Sequence, residues 1–468
     1  MRVIFSFDYE NYVNPNADEA GQLYADLLAR HGVRGCFMVV AERARALRAR
    51  GRLDVVRALR RHDIAYHTDL HDVDPTPTER LDPLDWKAGL EYVLTTEVGG
   101  IRAVEEIFDQ FPSAFTQPGS AWAPQMFVAA RMLGIPVMTD SPFEASPGVP
   151  LWYCGALHVD YHQGLERYFD VENRLEAMRR DFAALCDARK GTDAAIVICT
   201  HPTQLTLSAW PRRPAAYLGR SPREVWTPGP ERSREFVSSF LGDLGDYLDF
   251  IVKEAKADVV TYRELHQGYL EGPRDWLPIA DVVGLARVVS SRLTYQRHGE
   301  AWLSPAEVFG LVAHALAHHA RQGALPDRLP PRRLLGPVDP PPERGAERPA
   351  VGSRLLLQAC EDISWAMERS GCLPGRVAVG GIQMGPGQFL GAMAALLVHL
   401  WESGPSAELP DRVPAGEQPD LPEIAAGPPF TGLAFKGTWR AFPPDFEGAN
   451  VLRWARLQAW SAKPAAAR

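Results

Sequence analysis

Short apolar runs alternate with longer amphipathic stretches through the first 270 residues or so of the chain. The short runs predict buried strands, and apolar positions three and four apart predict helices between them. The predicted strands are Val3–Phe7, Gly35–Val40, Ile64–His67, Ser113–Gln117, Ile135–Met138, Ala194–Thr200 and Asp258–Thr261. The predicted helices are Ala17–His31, Leu53–Arg61, Ile101–Phe108, Gln125–Leu133, Val171–Asp187 and Ser233–Ala255. We therefore expect an α/β fold over residues 1–272, and the number of strand–helix units is compatible with a closed or nearly closed (β/α) barrel.

The pattern after residue 272 is helical. We expect a helical region with a degenerate repeat at 273–338, a proline-rich linker at 339–352, and a second helical repeat with an aromatic tail at 353–468. The repeat is indicated by two similar heptapeptides that begin at Gly323 and Gly371, 48 positions apart. Ser304 and Glu307 predict a capping box that starts a helix. Trp454 and Trp460 predict that the tail docks on a domain.

Two acids close the first predicted strand. Asp8 and Glu10 are two positions apart, so their side chains point to the same side, at the strand end where barrel enzymes assemble their sites. Such a pair is also compatible with a solvated loop.

Histidines follow two further strands. His67 and His71 come directly after the third strand at a spacing that places both on one face of a helical turn, where they can bind one divalent cation with a carboxylate from another strand. His201 follows the most apolar strand, where it either caps the rim or donates a proton. The pattern predicts a catalytic metal site.

Charge and composition exclude several classes. With 50 basic and 58 acidic residues the formal charge is -8, which disfavours nucleic acid as a partner. The longest apolar run, 389–401, is shorter than the 20 or so residues of a membrane span. The six cysteines form no CxxC pair, so we expect free thiols. Without a recognisable signal segment, we expect a cytoplasmic protein.

These motifs in this order, completed by Gln117-Pro118-Gly119 and Val259-Val-Thr261-Tyr-Arg-Glu264, resemble the polysaccharide deacetylase family (carbohydrate esterase family 4) in its Asp-x-Glu variant. The resemblance covers residues 1 to about 270 and implies a distorted or incomplete (β/α) barrel. It implies a hydrolase of carbon–nitrogen bonds that removes an acetyl group from an N-acetylated sugar or glycan, with a divalent cation, most often Zn²⁺. Carried over, Asp8 is the base, Glu10, His67 and His71 bind the metal, and His201 is the acid or a stabiliser of the transition state.

One departure concerns the third motif, in which the family has an arginine that orients the base. Gln117 stands there, and a neutral amide does not hold Asp8 ionised by charge. Two alternatives therefore stay open: an allantoinase-like or other small-molecule amidohydrolase, and a catalytically weakened glycan-binding or scaffold protein. Tyr9, Gln117 and Trp122 are the candidate substrate contacts, with core packing as the alternative for the aromatic residues.

The second C-terminal repeat, Leu355–Leu400, is similar to pseudomurein-binding repeats, and residues 304–337 to a degenerate copy without a clear hairpin, because Pro330-Pro331 interrupts the strand pattern. The similarity implies contact with a glycan or cell wall. Capping of the barrel or association with further copies of the chain are the alternatives.

Overall fold

The computed structural model describes residues 1–71, 73–118, 121–140, 148–210, 225–273, 275–343, 349–404, 408–427, 442–443 and 445–468. In this part of the chain one curled, mostly parallel sheet forms the framework of the N-terminal region. Its strands up to residue 260 are β1 (Arg2–Tyr9), β2 (Cys36–Val39), β3 (Asp63–Tyr66), β4 (Ala114–Thr116), β5 (Val137–Thr139), β6 (Leu151–Tyr153), β7 (Ala156–Val159), β8 (Gln163–Gly164), β9 (Ala195–Thr200) and β10 (Asp258–Val259).

The strand order places β1 in the middle of the sheet. The sequence of neighbours is β6-β7-β5-β4-β3-β2-β1-β9-β8, with β10 also paired to the start of β1. All of these pairs are parallel except β6 with β7. Every residue of β1 beyond Arg2 is buried, as expected for a central strand of a parallel sheet covered on both faces. This confirms the predicted distorted (β/α) barrel.

Helices cover the sheet between the strands. The predicted helices are all present, although the third is much longer than the pattern predicted and the last ends in a π-helical turn at Phe250–Glu254. The helices are α1 (Asp18–Arg30), α2 (Ala41–Ala49), α3 (Leu53–Leu59), α4 (Pro77–Leu81), α5 (Trp86–Phe108), α6 (Pro124–Met132), α7 (Arg174–Ala188), α8 (Pro202–Thr206), α9 (Arg234–Asp249) and α10 (Tyr262–Gln267).

A second hydrophobic core lies in the helical region that follows. Four long helices enclose it, and short strands connect them. The elements are β11 (Tyr269–Leu270), β12 (Leu277–Pro278), α11 (Ile279–Val289), β13 (Gln296–His298), β14 (Ala301–Leu303), α12 (Pro305–Gln322), β15 (Arg328–Leu329), β16 (Ala350–Gly352), α13 (Ser353–Ser370), β17 (Val377–Val379), β18 (Ile382–Met384), α14 (Pro386–Ser403) and β19 (Arg412–Pro414).

The internal repeat of this region differs from the sequence prediction. Two helix–hairpin–helix units are present, α11 to α12 around the hairpin β13–β14 and α13 to α14 around β17–β18. The first unit therefore has a hairpin, and it precedes α12 instead of following it. The heptapeptides at Gly323 and Gly371 mark helix ends, because both glycines adopt the left-handed conformation that terminates a helix. They do not mark equivalent positions of the two units.

The C-terminal segment returns to the barrel. Helix α15 (Ala449–Gln458) packs on the barrel core, in which Trp454 is buried. Strand β20 (Lys463–Pro464) then pairs with β6 and extends the main sheet, and β21 (Ala466–Ala467) pairs with β11. Trp460 lies fully buried in the core of the helical region. The tail therefore connects the two cores, as its aromatic residues predicted.

The sequence also predicted free thiols and an apolar run too short to cross a membrane. All six cysteines are free thiols. In the described ranges, no helix combines the length and the apolar character that crossing a bilayer requires. The apolar run 389–401 lies within α14, which packs against α11 and α12.

Candidate active site

The end of β1 places two acids on the inner side of the curled sheet. Asp8 and Glu10 are both buried. Tyr9, between them, points to the opposite face, because successive side chains of a strand alternate. Its hydroxyl donates to the backbone oxygen of Asp18 at 2.7 Å, and the guanidinium of Arg43 lies over its ring. The structure therefore places Tyr9 in the core, away from the site in which it was predicted to contact substrate.

Glu10 lies between the two histidines. Its Oε2 is 3.1 Å from Nε2 of His67 and 2.7 Å from Nε2 of His71. Burial raises the pKa of Glu10, but the charge of His71 and the hydrogen bonds from both histidines outweigh burial and hold this pKa well below its usual value. The carboxylate is therefore ionised at neutral pH and faces two imidazole nitrogens.

These three groups fit a divalent cation. One ligand atom from each of Glu10, His67 and His71 lies within 4.8 Å of the others. Nδ1 of His67 is 2.8 Å from the backbone oxygen of Thr116, an acceptor, so Nδ1 carries a proton and Nε2 is the nitrogen that faces the site. One carboxylate and two imidazoles are ligands typical of Zn²⁺ with coordination positions left open.

The segment from His67 to His71 is not the helical turn that the spacing predicted. It is a bend in which Thr68 and His71 have left-handed backbone conformations, with φ of 63° and 61°. The hydroxyl of Thr68 accepts a hydrogen bond from the backbone N–H of His71 at 3.0 Å, which gives this turn an alternative to helical hydrogen bonding. The two imidazoles still meet, with ring centroids 4.7 Å apart.

The buried side chain of Glu97, on α5, stabilises this bend through hydrogen bonds. Oε2 of Glu97 accepts hydrogen bonds from the hydroxyl of Tyr66 at 2.6 Å and from the backbone N–H of Asp69 at 3.0 Å. Asp69 also forms an ion pair with Arg45 of α2. Burial raises the pKa of Glu97 to about 7. The bend is thus fixed by two helices.

Asp8 lies beside the metal-ligand cluster and has its own partners. Oδ1 accepts a hydrogen bond from the hydroxyl of Tyr161 at 2.7 Å, and Oδ2 is 3.8 Å from Nε2 of His201. Burial raises the pKa of Asp8, and the charges of His67 and His201 lower it only in part. The result is a carboxylate that binds a proton more readily than an exposed aspartate does.

His201 follows β9 and is held by Glu166, a residue of the 3-10 helix Leu165–Tyr168. Nδ1 of His201 is 2.9 Å from Oε1 of Glu166, and the backbone N–H of His201 donates to the same oxygen. Burial lowers the pKa of His201, but Glu166 outweighs it, with help from Glu10 and Asp8, and raises the pKa to about 10. His201 is therefore an imidazolium with Nε2 facing Asp8.

Two of the predicted substrate contacts lie behind the site. Gln117 is fully buried, and its side-chain nitrogen donates to the backbone oxygen of Asp140 at 3.2 Å. Trp122 is also buried, within the hydrophobic core of the barrel. Gly119, quoted with the third motif, and residues 211–224 of the long connection after β9 lie outside the described residues.

An aromatic side chain that is open to solvent lies beside His201. The indole of Trp210 contacts the imidazole of His201 edge to face, with ring centroids 5.1 Å apart. Trp210 is 38% exposed. The side chains of Trp152 and Tyr153, on β6, donate hydrogen bonds to the backbone oxygens of Leu270 and Ala455.

Three acidic or phenolic residues of the site were missed by sequence reasoning: Asp140, Tyr161 and Glu166. Asp140 directly follows β5, and burial together with the charge of Asp8 raises its pKa to about 7. Its position at a strand end is a signal that was available. Tyr161 follows β7, a strand that the sequence pattern did not reveal. Glu166 is on a 3-10 turn, and no periodicity marks it.

The sequence matches no protein-family model and no curated protein. Solved structures with which the chain shares a partial likeness include a peptidoglycan N-acetylglucosamine deacetylase in complex with an aromatic benzamide derivative (15% identity, TM-score 0.32, 57% of this chain and 88% of that one). A family 4 acetyl xylan esterase from Clostridium thermocellum in complex with a cobalt ion is another (14%, 0.31, 57% and 91%).

A third is a carbohydrate esterase family 4 pseudoenzyme from Bacillus anthracis (12% identity, TM-score 0.32, 57% of this chain and 65% of that one). Identities and TM-scores this low carry no weight for the chemistry, which depends on the side chains at the end of β1 and around it.

Proposed function

We propose that this protein is a metal-dependent hydrolase that removes an acetyl group from an N-acetylated sugar or glycan. One observation carries the proposal. A three-residue metal-ligand cluster, Glu10 with His67 and His71, is next to a buried carboxylate and an imidazolium that lie 3.8 Å apart. A Lewis-acid site, a base and an acid are the three elements that hydrolysis of an amide requires.

Glu10, His67 and His71 are the residues that would hold the cation. A divalent cation bound there supplies Lewis-acid chemistry, which polarises an acyl carbonyl and makes water more acidic. The support for this assignment is the donor set and its orientation, with Nδ1 of His67 donating to Thr116. The protein residues perform the remaining chemistry.

Asp8 acts as the base in this proposal. Its carboxylate is buried, has a raised pKa and is held at Oδ1 by Tyr161, so Oδ2 is directed at the site. A base with a pKa closer to neutrality accepts a proton from water more effectively than an exposed aspartate does. Asp8 therefore takes the proton of the attacking water.

His201 acts as the acid. Glu166 binds the Nδ1 proton and keeps the ring charged, which leaves the proton on Nε2 for the site. The departing amine needs a proton, because an amide anion is a very poor leaving group. His201 delivers that proton from Nε2, and the amine leaves as a neutral molecule.

The sugar as substrate rests on two further supports. The order of motifs along the chain resembles the polysaccharide deacetylase family. The exposed indole of Trp210 beside His201 offers an apolar surface of the kind against which sugar rings pack. The first support concerns motif residues that form the candidate site, and the second concerns Trp210, which lies beside it.

The test is a comparison of products. The purified protein with Zn²⁺ is incubated with N-acetylglucosamine oligomers, acetylated xylan and, separately, small cyclic and linear amides. We expect acetate from the acetylated sugars. Release of ammonia or an amine from the small amides without any acetate would instead support the amidohydrolase alternative, and no product from any substrate would support a scaffold.

A further inference from the structure

A short segment crosses the opening of the barrel. It leaves β7 at Asp160 and ends in β8, which pairs in parallel with β9 on the far side. His162 fastens this crossing segment (residues 160–164) to β9, because its backbone N–H donates to the oxygen of Val197 and its Nδ1 accepts from the N–H of Val197 at 2.9 Å. A crossing segment held at both ends provides a rigid support for the side chain it carries inward.

Tyr161 is that side chain. The shortest hydrogen bond of its hydroxyl is the 2.7 Å bond to Oδ1 of Asp8, and the hydroxyls of Thr116 and Thr139 lie at 3.5 Å. Burial and the charge of Asp8 raise the pKa of Tyr161 well above its usual value. The hydroxyl therefore keeps its proton and always donates.

The bond to Tyr161 distinguishes the two oxygens of Asp8. A carboxylate rotates readily about its last bond, and one hydrogen bond of good length to Oδ1 removes that freedom. The other oxygen, Oδ2, is then directed towards His201. The side-chain nitrogen of Gln117 donates to the backbone oxygen of Asp140.

We propose that Tyr161 is the positioning residue of Asp8, a neutral donor on the crossing segment that orients the base for proton transfer. The inference rests on the proposed function, in which Asp8 is the base. It assigns to Tyr161 no contact with substrate and no proton transfer of its own.

Tyr161→Phe removes the hydroxyl and keeps the ring. Tyr168→Phe is the matched control, because Tyr168 lies on the same connection and its hydroxyl bonds Asp181 and Gln163 instead of Asp8. Acetate release is measured for the parent and both variants in the presence of Zn²⁺. Zn²⁺ affinity is measured by calorimetry.

In Tyr161→Phe we expect kcat to fall about 10- to 100-fold, the usual cost of a misoriented catalytic group, with KM and Zn²⁺ affinity within about threefold of the parent. Tyr168→Phe is expected to keep the parent kcat. A kcat of Tyr161→Phe close to that of the parent, an equal loss in Tyr168→Phe, or a large loss of Zn²⁺ affinity would each overturn the proposal.

A second measurement is independent of turnover. The infrared carboxylate band of Asp8 is identified as the band that Asp8→Asn removes. This band should shift in Tyr161→Phe and stay in place in Tyr168→Phe, because only the first variant changes the hydrogen bonding of Asp8. If the parent releases no acetate, the proposed function fails, and the infrared band alone tests whether Tyr161 orients Asp8. An unchanged band in Tyr161→Phe would then overturn that inference.

Discussion

Glu166 accepts hydrogen bonds from both the backbone N–H and Nδ1 of His201. Removing its charge lowers the pKa of His201 from about 10 towards its ordinary value, because Glu166 is the main group that raises it. We expect Glu166→Gln to lower kcat about 10- to 100-fold and to move the alkaline limb of its pH profile to lower pH. Glu172→Gln, an exposed neighbour, is the control, and an unchanged alkaline limb in Glu166→Gln would contradict the role of His201 as the acid.

The metal-ligand cluster makes a direct prediction about binding. Calorimetry and metal analysis should find one Zn²⁺ per chain. Glu10→Gln and His71→Asn should each weaken binding more than about 100-fold, since loss of a direct ligand costs more than loss of a supporting residue. Glu19→Gln, outside the cluster, should bind as the parent does. Tight binding that survives both cluster variants would mean that the cation lies elsewhere.

The buried carboxyl of Glu97 predicts a pH dependence of stability. Its pKa is about 7 in the folded protein and about 4.3 when unfolded, so between these values the folded state binds a proton that the unfolded state has lost. This contribution makes the free energy of unfolding fall as pH rises through the window, by roughly 4 kcal/mol in total.

Glu97→Gln should abolish that part of the slope. Urea unfolding of the metal-free protein at intervals from pH 4.5 to 7.5, compared with Glu91→Gln on the exposed side of the same helix, measures it. Parallel pH curves for the parent and Glu97→Gln would show that Glu97 does not titrate in this window.

A buried ion pair connects the barrel sheet to the helical region. Nζ of Lys463, on β20, is 2.7 Å from both carboxylate oxygens of Glu307, at the start of α12. Both side chains are about 95% buried. Removing one partner leaves a buried charge uncompensated, so Lys463→Met should cost about 3–5 kcal/mol of unfolding free energy.

The double variant Lys463→Met with Glu307→Leu should recover part of that loss, since no unpaired charge remains although the capping hydrogen bond from the N–H of Ser304 is lost. Urea unfolding curves of the three variants give the comparison. A loss below about 1 kcal/mol in Lys463→Met would show that the charge of Glu307 is solvated after all.

Strand periodicity was sufficient to predict where the site would form. Asp8 and Glu10 lie two positions apart at the end of a buried strand. Parallel strands bring their carboxyl ends to one rim, so the sequence predicted that these acids and the histidines after β3 and β9 lie close together. The same alternation directs Tyr9 into the core, which is the alternative to substrate contact that the sequence left open.

What the sequence did not reveal depends on tertiary contacts. The bend at His67 is not helical, because it is fixed by a hydrogen bond that the Thr68 hydroxyl accepts from the backbone N–H of His71 and by contacts from α5. Tyr161 and Glu166 lie on a connection without periodicity and gain their roles from the residues they reach. Strand β20 has only two residues and pairs with a strand about 310 positions earlier, a relationship that no local pattern records.

The most direct test of the central claim compares Asp8→Asn with Asp26→Asn, in which a partly exposed aspartate of α1 that pairs with Arg61 changes instead. Acetate release from an N-acetylglucosamine oligomer is measured for both variants and the parent, each with its Zn²⁺ content verified and again after chelation. We predict that the parent and Asp26→Asn release acetate only when Zn²⁺ is bound, and that Asp8→Asn holds Zn²⁺ but is slower by about 10²- to 10⁴-fold. Equal rates in Asp8→Asn and the parent, or rates that chelation leaves unchanged, would contradict a metal-dependent deacetylase with Asp8 as its base.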